Sequence, residues 1–245
     1  MKRVILHAGL PKTGSTSIQS MLCDRADELA ELGICVMSRT TTTRQVSRAA
    51  RTFLNNKAVF PAFLWAALKL RLAIISQSCT TILVSNENLL GLYSSEMFGR
   101  NFENRSRLLV NTLLLVLRGC DVSIVLYDRD ASSLHRSALK QRWNKSKEIS
   151  EDEWYRKFPD PLVPSRYIEA MKTSFPGLVE CVRMEDEISA GHYLGERLLE
   201  MSGASVLGPP QKTYHENVGS PSPKASERDA IDAPYGAEVS NVPDQ

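Results

Sequence analysis

A short apolar run, Val4-Ile5-Leu6, stops at Gly9 and Pro11, and a helical period opens at Ser15. An unbroken apolar run of this kind suits a strand buried on both faces. From Ser15 onward, Ile18, Met21, Leu22, Ala26 and Leu29 fall on one helical face, and Gly33 stands where a helix closes. A strand that turns sharply into a helix leaves unpaired backbone N–H groups and a positive dipole end at the turn. Such a turn favours an anion, phosphate above all.

The same alternation continues down the chain. Thr80–Ser85 and Val122–Tyr127 read as buried strands, and Ile34–Met37 as a shorter one. Helical patterns cover Phe60–Ser76, Arg105–Leu117 and about Ala131 to Trp143. A last unit has a helix at 165–174, a strand at Leu178–Arg183 and a helix at His192–Met201. Strands alternating with helices predict an α/β fold with a mainly parallel sheet. Residues 38–57 are polar and basic with a Thr run at 40–43, and no element is assigned to them. From Pro209 the chain is rich in Pro, Ser, Gly and charge. A globular domain is therefore expected over 1–208, with a C-terminal loop and a tail over 209–245 that is disordered from about 225.

Composition excludes several classes. Hydrophobic residues make up 42% of the 245 residues and charged residues 24%, an ordinary globular balance. A formal net charge of +2 gives no reason to expect nucleic acid as a partner. Phe60–Ile75, the most apolar stretch, is interrupted by Lys69 and Arg71, so a packed helix is expected there, with no membrane span. The apolar run at Val4 leaves no stretch for a secretion signal ahead of it, and a cytoplasmic location is expected. The five cysteines, Cys23, Cys35, Cys79, Cys120 and Cys181, form no CxxC pair. They read as buried reduced thiols with no zinc spacing, and no metal is expected.

The turn itself is His7-Ala8-Gly9-Leu10-Pro11-Lys12-Thr13-Gly14-Ser15-Thr16-Ser17. Gly9 and Gly14 have the separation of an ATP-type GxxxxGK[ST] loop, yet Ser15 stands where that loop needs Lys, and the cation lies earlier, at Lys12. Pro11 to Ser17 resembles the PKTGTTS-type loop of sulfotransferases that use 3′-phosphoadenosine 5′-phosphosulfate (PAPS). The resemblance runs from about residue 3 to 208 and is weak over 38–78. It implies a three-layer, P-loop-NTPase-like α/β fold in which a central, mainly parallel sheet is flanked by helices. It also implies that Lys12, Thr13, Gly14, Ser15, Thr16 and Ser17 wrap the 5′-phosphosulfate.

That family holds the 3′-phosphate with an Arg just after a strand and a Ser eight residues on. Arg129 follows Val122–Tyr127, and Ser137 has that spacing. An Arg at a strand's carboxyl end enters the crevice where such sheets bind ligands, and it grips phosphate through a planar fork. Ala138 and Leu139 stand where the family often carries an aromatic residue. Ser85-Asn86-Glu87-Asn88 resembles the S-x-E-N stretch of bacterial members, which implies Glu87 as the general base that takes the acceptor's proton. Lys12 would then stabilise charge on the departing phosphate. Late in the chain, Lys212 and Asn217 would belong to a loop closing over the nucleotide. His7 is read as structural.

The expected activity is sulfuryl transfer from PAPS to a hydroxyl or amine of a carbohydrate or other small acceptor. Two other readings compete. A P-loop kinase of nucleotides or small molecules fits the strand–loop–helix but not Ser15, and it leaves Arg129 and Ser137 unexplained. A non-catalytic binding domain that keeps the fold predicts loss of a key residue, whereas Lys12, Glu87, Arg129 and Ser137 are all present.

Overall fold

The computed structural model describes residues 1–10, 13–90, 102–130, 133–134, 137, 156 and 163–210. Five parallel strands form one sheet in the order β2-β3-β1-β4-β5: β1 (Arg3–Gly9), β2 (Ile34–Ser38), β3 (Thr81–Ser85), β4 (Asp121–Asp128) and β5 (Val179–Arg183). The α/β reading with a parallel sheet therefore holds.

Successive residues of a strand face opposite sides, which explains the unbroken apolar runs. Val4, Leu6, Ala8, Ile82, Val84, Ile124 and Leu126 pack into one core. Ile5, Leu83, Val125 and Tyr127 pack into the other. Helices α3 (Thr41–Asn55), α4 (Phe60–Ile75), α5 (Phe102–Val116) and α6 (Val163–Ser174) cover the first face. The second face is covered by α1 (Ser15–Asp24), α2 (Ala26–Glu31) and, after the short α7 (Met184–Ser189), by α8 (Glu196–Ser202). Val4, Ile5 and Leu6 are wholly buried, and each such side chain contributes about 1.5–3 kcal/mol by leaving water.

Four expectations change. The helix expected from Ser15 to Gly33 is two helices with a break at Arg25. This arginine is buried, and its guanidinium donates to the carbonyls of Leu207 (2.7 Å) and Gly208 (2.8 Å), partners more than 180 positions away. Residues 38–57, left unassigned, hold the fifteen-residue α3. The Thr40 hydroxyl accepts from the N–H of Thr43 to cap it, and Val46, Ala50, Phe53 and Leu54 are buried along one side. The last helix starts at Glu196, behind Gly195 at φ 97°, and His192 precedes it. Cys35 in β2 and Cys79, two residues ahead of the neighbouring β3, are joined as a disulfide, their Cα atoms 5.6 Å apart across 44 residues of sequence. The reading of all five cysteines as buried reduced thiols fails for this pair, and Cys23 is exposed. No described helix is long and apolar enough to cross a membrane. The helix expected at 131–143 lies mostly outside the described residues, as does the segment from 211.

Chain order places an opening at the middle of the carboxyl edge. The chain leaves β1 through α1 on one face of the sheet, whereas β3 connects to β4 through α5 on the other. Loops following β1 and its two neighbours, β3 and β4, therefore meet where the connections diverge, the place where open α/β sheets take ligands.

Candidate active site at the carboxyl edge of the sheet

The β1–α1 loop is held from both sides. The Gly9 N–H donates to the Glu87 carbonyl (3.4 Å) and the Leu10 N–H to the Tyr127 carbonyl (3.3 Å), while the Asn86 N–H donates to the His7 carbonyl (3.0 Å). Gly14 takes the left-handed conformation (φ 76°, ψ 9°) as the residue before α1, and no described side chain caps that helix end. The N–H groups of the first turn of α1 thus stand at the loop with the positive end of the helix dipole.

Two glycines shape the turn. A side chain at Gly9 would approach the Ser15 hydroxyl at 2.8 Å and that of Thr13 at 3.2 Å, so the loop folds back closely over the strand end. At Gly14 an added Cβ would overlap Leu194 Cδ2, and φ is already in the region L-residues avoid. Gly14→Ala should lower stability by about 2–3 kcal/mol, combining left-handed strain with the overlap, as measured by urea unfolding at neutral pH.

Thr13 and Ser15 are buried, and their hydroxyls serve the loop. Thr13 Oγ1 donates to the Leu10 carbonyl (2.8 Å) and lies 3.3 Å from Ser15 Oγ. Thr16 is half-buried and Ser17 is buried at the start of α1. Lys12 lies outside the described residues.

Glu87 comes to the loop through its backbone carbonyl, and its half-buried carboxylate accepts from the Asn88 amide at 3.3 Å. The turn that carries it is fixed by the Asn86 side chain, which accepts from the Asn88 N–H at 2.9 Å. Arg129 follows β4 on the other flank. Its backbone N–H donates to Asp128 Oδ1 (2.7 Å), and its Nε lies 3.7 Å from Glu185 Oε1, so it pairs with the start of α7. Ser137 is half-buried in helical backbone. The β1–α1 loop, Glu87 and Arg129 are therefore brought to one edge, on three neighbouring strand ends.

Two groups beneath the loop carry little sequence signal. His7 is wholly buried. Its Nδ1 is 2.7 Å from Ser85 Oγ, its ring meets Tyr127 edge-on at 5.2 Å, and Nε2 has no partner among the described residues. That nitrogen faces Gly9, whose added Cβ would come within 4.0 Å of it. Burial lowers the imidazole pKa to about 4, so the ring is neutral at ordinary pH. Asp128, buried at the end of β4, has its carboxyl pKa raised by the same desolvation, opposed by the Arg129 N–H and the Arg183 charge. Its only sequence signal is an acid directly after an apolar strand.

A cleft of about 290 Å³ lies beside β5, lined by Glu180, Arg183, Glu187, His192 and Arg197 among others. None of its lining residues belongs to the β1–α1 loop. In its wall the buried Glu187 accepts from the Tyr127 hydroxyl and from the N–H groups of Gly195 and Arg197, which tie α8 to the sheet. No group of three or more metal-ligating side chains occurs among the described residues. Neither a protein-family model nor a curated protein matches the chain.

Proposed function

We propose that the chain transfers a sulfuryl group from PAPS to a hydroxyl or amine of a small or carbohydrate acceptor, on a P-loop-like three-layer fold. One observation carries the reading. The glycine-shaped β1–α1 loop, with a helix end that no described side chain caps, lies between the strand ends that carry Glu87 and Arg129.

The residues present fit such a donor. Gly9 and Gly14 let the loop close down on Ser15, Thr13 and Leu194, where any side chain would clash, and His7 presents a buried neutral nitrogen to the underside of the loop. When bound, PAPS supplies an activated sulfuryl group. Glu87 takes the proton of the attacking hydroxyl or amine. The first-turn N–H groups of Ser15, Thr16 and Ser17, with Lys12, hold the charge that gathers on the oxygen leaving sulfur. Thr13 and Ser15 keep the loop in shape. Arg129 and Ser137 hold the 3′-phosphate on the other flank, and Glu185 orients the Arg129 guanidinium.

Thermal unfolding with added nucleotide tests this. Adenosine 3′,5′-bisphosphate at a hundred times its Kd should stabilise the fold by about 2.7 kcal/mol, with a much smaller gain from ATP–Mg²⁺. A gain from ATP–Mg²⁺ alone would indicate a kinase and overturn the reading. In Arg129→Ala the bisphosphate should lose its advantage over adenosine 5′-phosphate. Equal losses for the two ligands would show that Arg129 does not read the 3′-phosphate.

A further inference from the structure

Helix α4 is apolar on both sides. Phe63, Ala66, Ala67, Leu70 and Ile74 face the core, as a packed helix requires. On its outer side Trp65 is 61% exposed and Leu72 62%, and Leu68 and Ile75 are exposed with them. Spacings of three, four and three residues place these four on one ridge. The ridge continues onto α5, where Leu115 is 69% exposed and Leu108 is exposed one face-repeat earlier. The two helices lie side by side, since Arg71 of α4 donates to the carbonyls of Val116 and Arg118 at the end of α5. Single exposed leucines need no explanation, but six large exposed apolar side chains on two adjacent helices do.

Charge around the ridge is mostly positive. Residues 32–86 hold seven basic residues and no Asp or Glu, in a chain whose net charge is only +2. Residues 104–120 add three arginines and again no acid. Helices α3, α4 and α5 together contain a single acid, Glu103. The helices of the opposite layer, α1, α2 and α8, carry Asp24, Asp27, Glu28, Glu31, Glu196 and Glu200. In the first layer α6 adds only Glu169, beside Arg166 and Lys172, so the face of α3, α4 and α5 is basic while α1, α2 and α8 carry most of the helical acids. Arg44, Arg48, Lys69 and Arg107 are exposed on the basic one, and the Lys69 ammonium lies over the Trp65 ring at 5.6 Å.

We propose that the outer face of α3, α4 and α5 docks on an anionic lipid surface. Trp65, Leu68, Leu72, Ile75, Leu108 and Leu115 would enter the headgroup region while the surrounding Arg and Lys meet lipid phosphates. An indole beside a lysine stem suits the boundary between water and acyl chains, where amphipathic side chains keep a polar tip wet. Apolar area and basic charge act together in such binding, and each cation near an anionic leaflet adds to it. A second copy of the chain fits the face less well. Two-fold pairing would bring two copies of the same basic face together, with Glu103 the one acid of these three helices to offset them.

Co-sedimentation with vesicles tests the proposal on the full chain. Binding to vesicles of about 70:30 phosphatidylcholine to phosphatidylglycerol should exceed binding to pure phosphatidylcholine by at least about tenfold, and about 0.5 M salt should weaken it. The double substitution Trp65→Ser/Leu72→Ser should lower binding about tenfold or more with its unfolding midpoint retained. Lys69→Glu, at an exposed position, should lower it about threefold or more and serves if the double variant folds poorly. Absence of binding, equal binding to neutral vesicles, or variants that bind like the parent would each overturn the proposal. So would sedimentation equilibrium showing a dimer that Trp65→Ser dissociates, since a second copy would then cover the ridge.

Discussion

In the proposed reaction, Lys12→Ala should lower the rate of sulfuryl transfer by about 10²–10³-fold, the usual loss when one preorganised charge-stabilising group is removed. The size follows from what the rest of the loop is doing. Thr13 donates its hydroxyl to the Leu10 carbonyl, and Ser15 sits against Thr13, so these two groups are committed to the loop. The helix N–H groups supply only partial charge. Lys12 is then the one full positive charge within the segment from Gly9 to Ser17. Single-turnover kinetics with separately measured nucleotide affinity provide the check. The rate constant should fall far more than binding, because the charge appears on the bridging oxygen only as the bond breaks. Equal losses in rate and affinity would make Lys12 an anchor for the nucleotide with no part in the transition state.

Acid should weaken the fold through His7. Its folded pKa, about 4, is below the ordinary value of 6.5 because the ring is buried and gains no compensating charge. Between those values the unfolded chain binds a proton that the folded chain refuses. Stability is therefore complete above about pH 6.5 and falls as pH drops toward 4, by about 3 kcal/mol from this group. His7→Phe keeps a ring against Tyr127 but removes the titration. Urea unfolding from pH 7 to 4 should give a shallower loss for the variant, with a difference near that figure. Parallel pH curves for parent and variant would mean that the imidazole is solvated or protonated in the fold.

The strands were readable because burial on both faces leaves an unbroken apolar run: Thr80–Ser85 and Val122–Tyr127 lie within one residue of the observed β3 and β4, and Val4–Leu6 is the middle of β1, which runs on to Gly9. Helix α3 was hidden by its composition. β-branched threonines at 40–43 weaken helix propensity, and four arginines between 39 and 51 mask the apolar side. Its signal was nonetheless present in Val46, Ala50, Phe53 and Leu54, spaced four, three and one. The break at Arg25 had no local signal, since its cause is a pair of carbonyls at 207 and 208. The same holds at the candidate site. Strand order decides that the loops bearing Glu87 and Arg129 flank the β1–α1 loop, and the Arg129–Glu185 pair joins residues 56 apart in sequence. The disulfide likewise depends on which strands become neighbours, and spacing along the chain holds no trace of it.

The seat of Leu194 on Gly14, with Met184 Sδ 3.5 Å from the position of an added Cβ, has a bearing on biosynthesis. The loop is among the first parts of the chain to leave the ribosome, whereas the side chains that fix its curvature are made about 170–180 residues later. At the usual pace of synthesis, roughly 5–20 residues per second, that gap lasts on the order of ten seconds or more. Through that interval the glycine turn has no wall on its outer side. A nascent chain therefore completes this turn only when its final segments dock, so the finished shape of the loop arrives late.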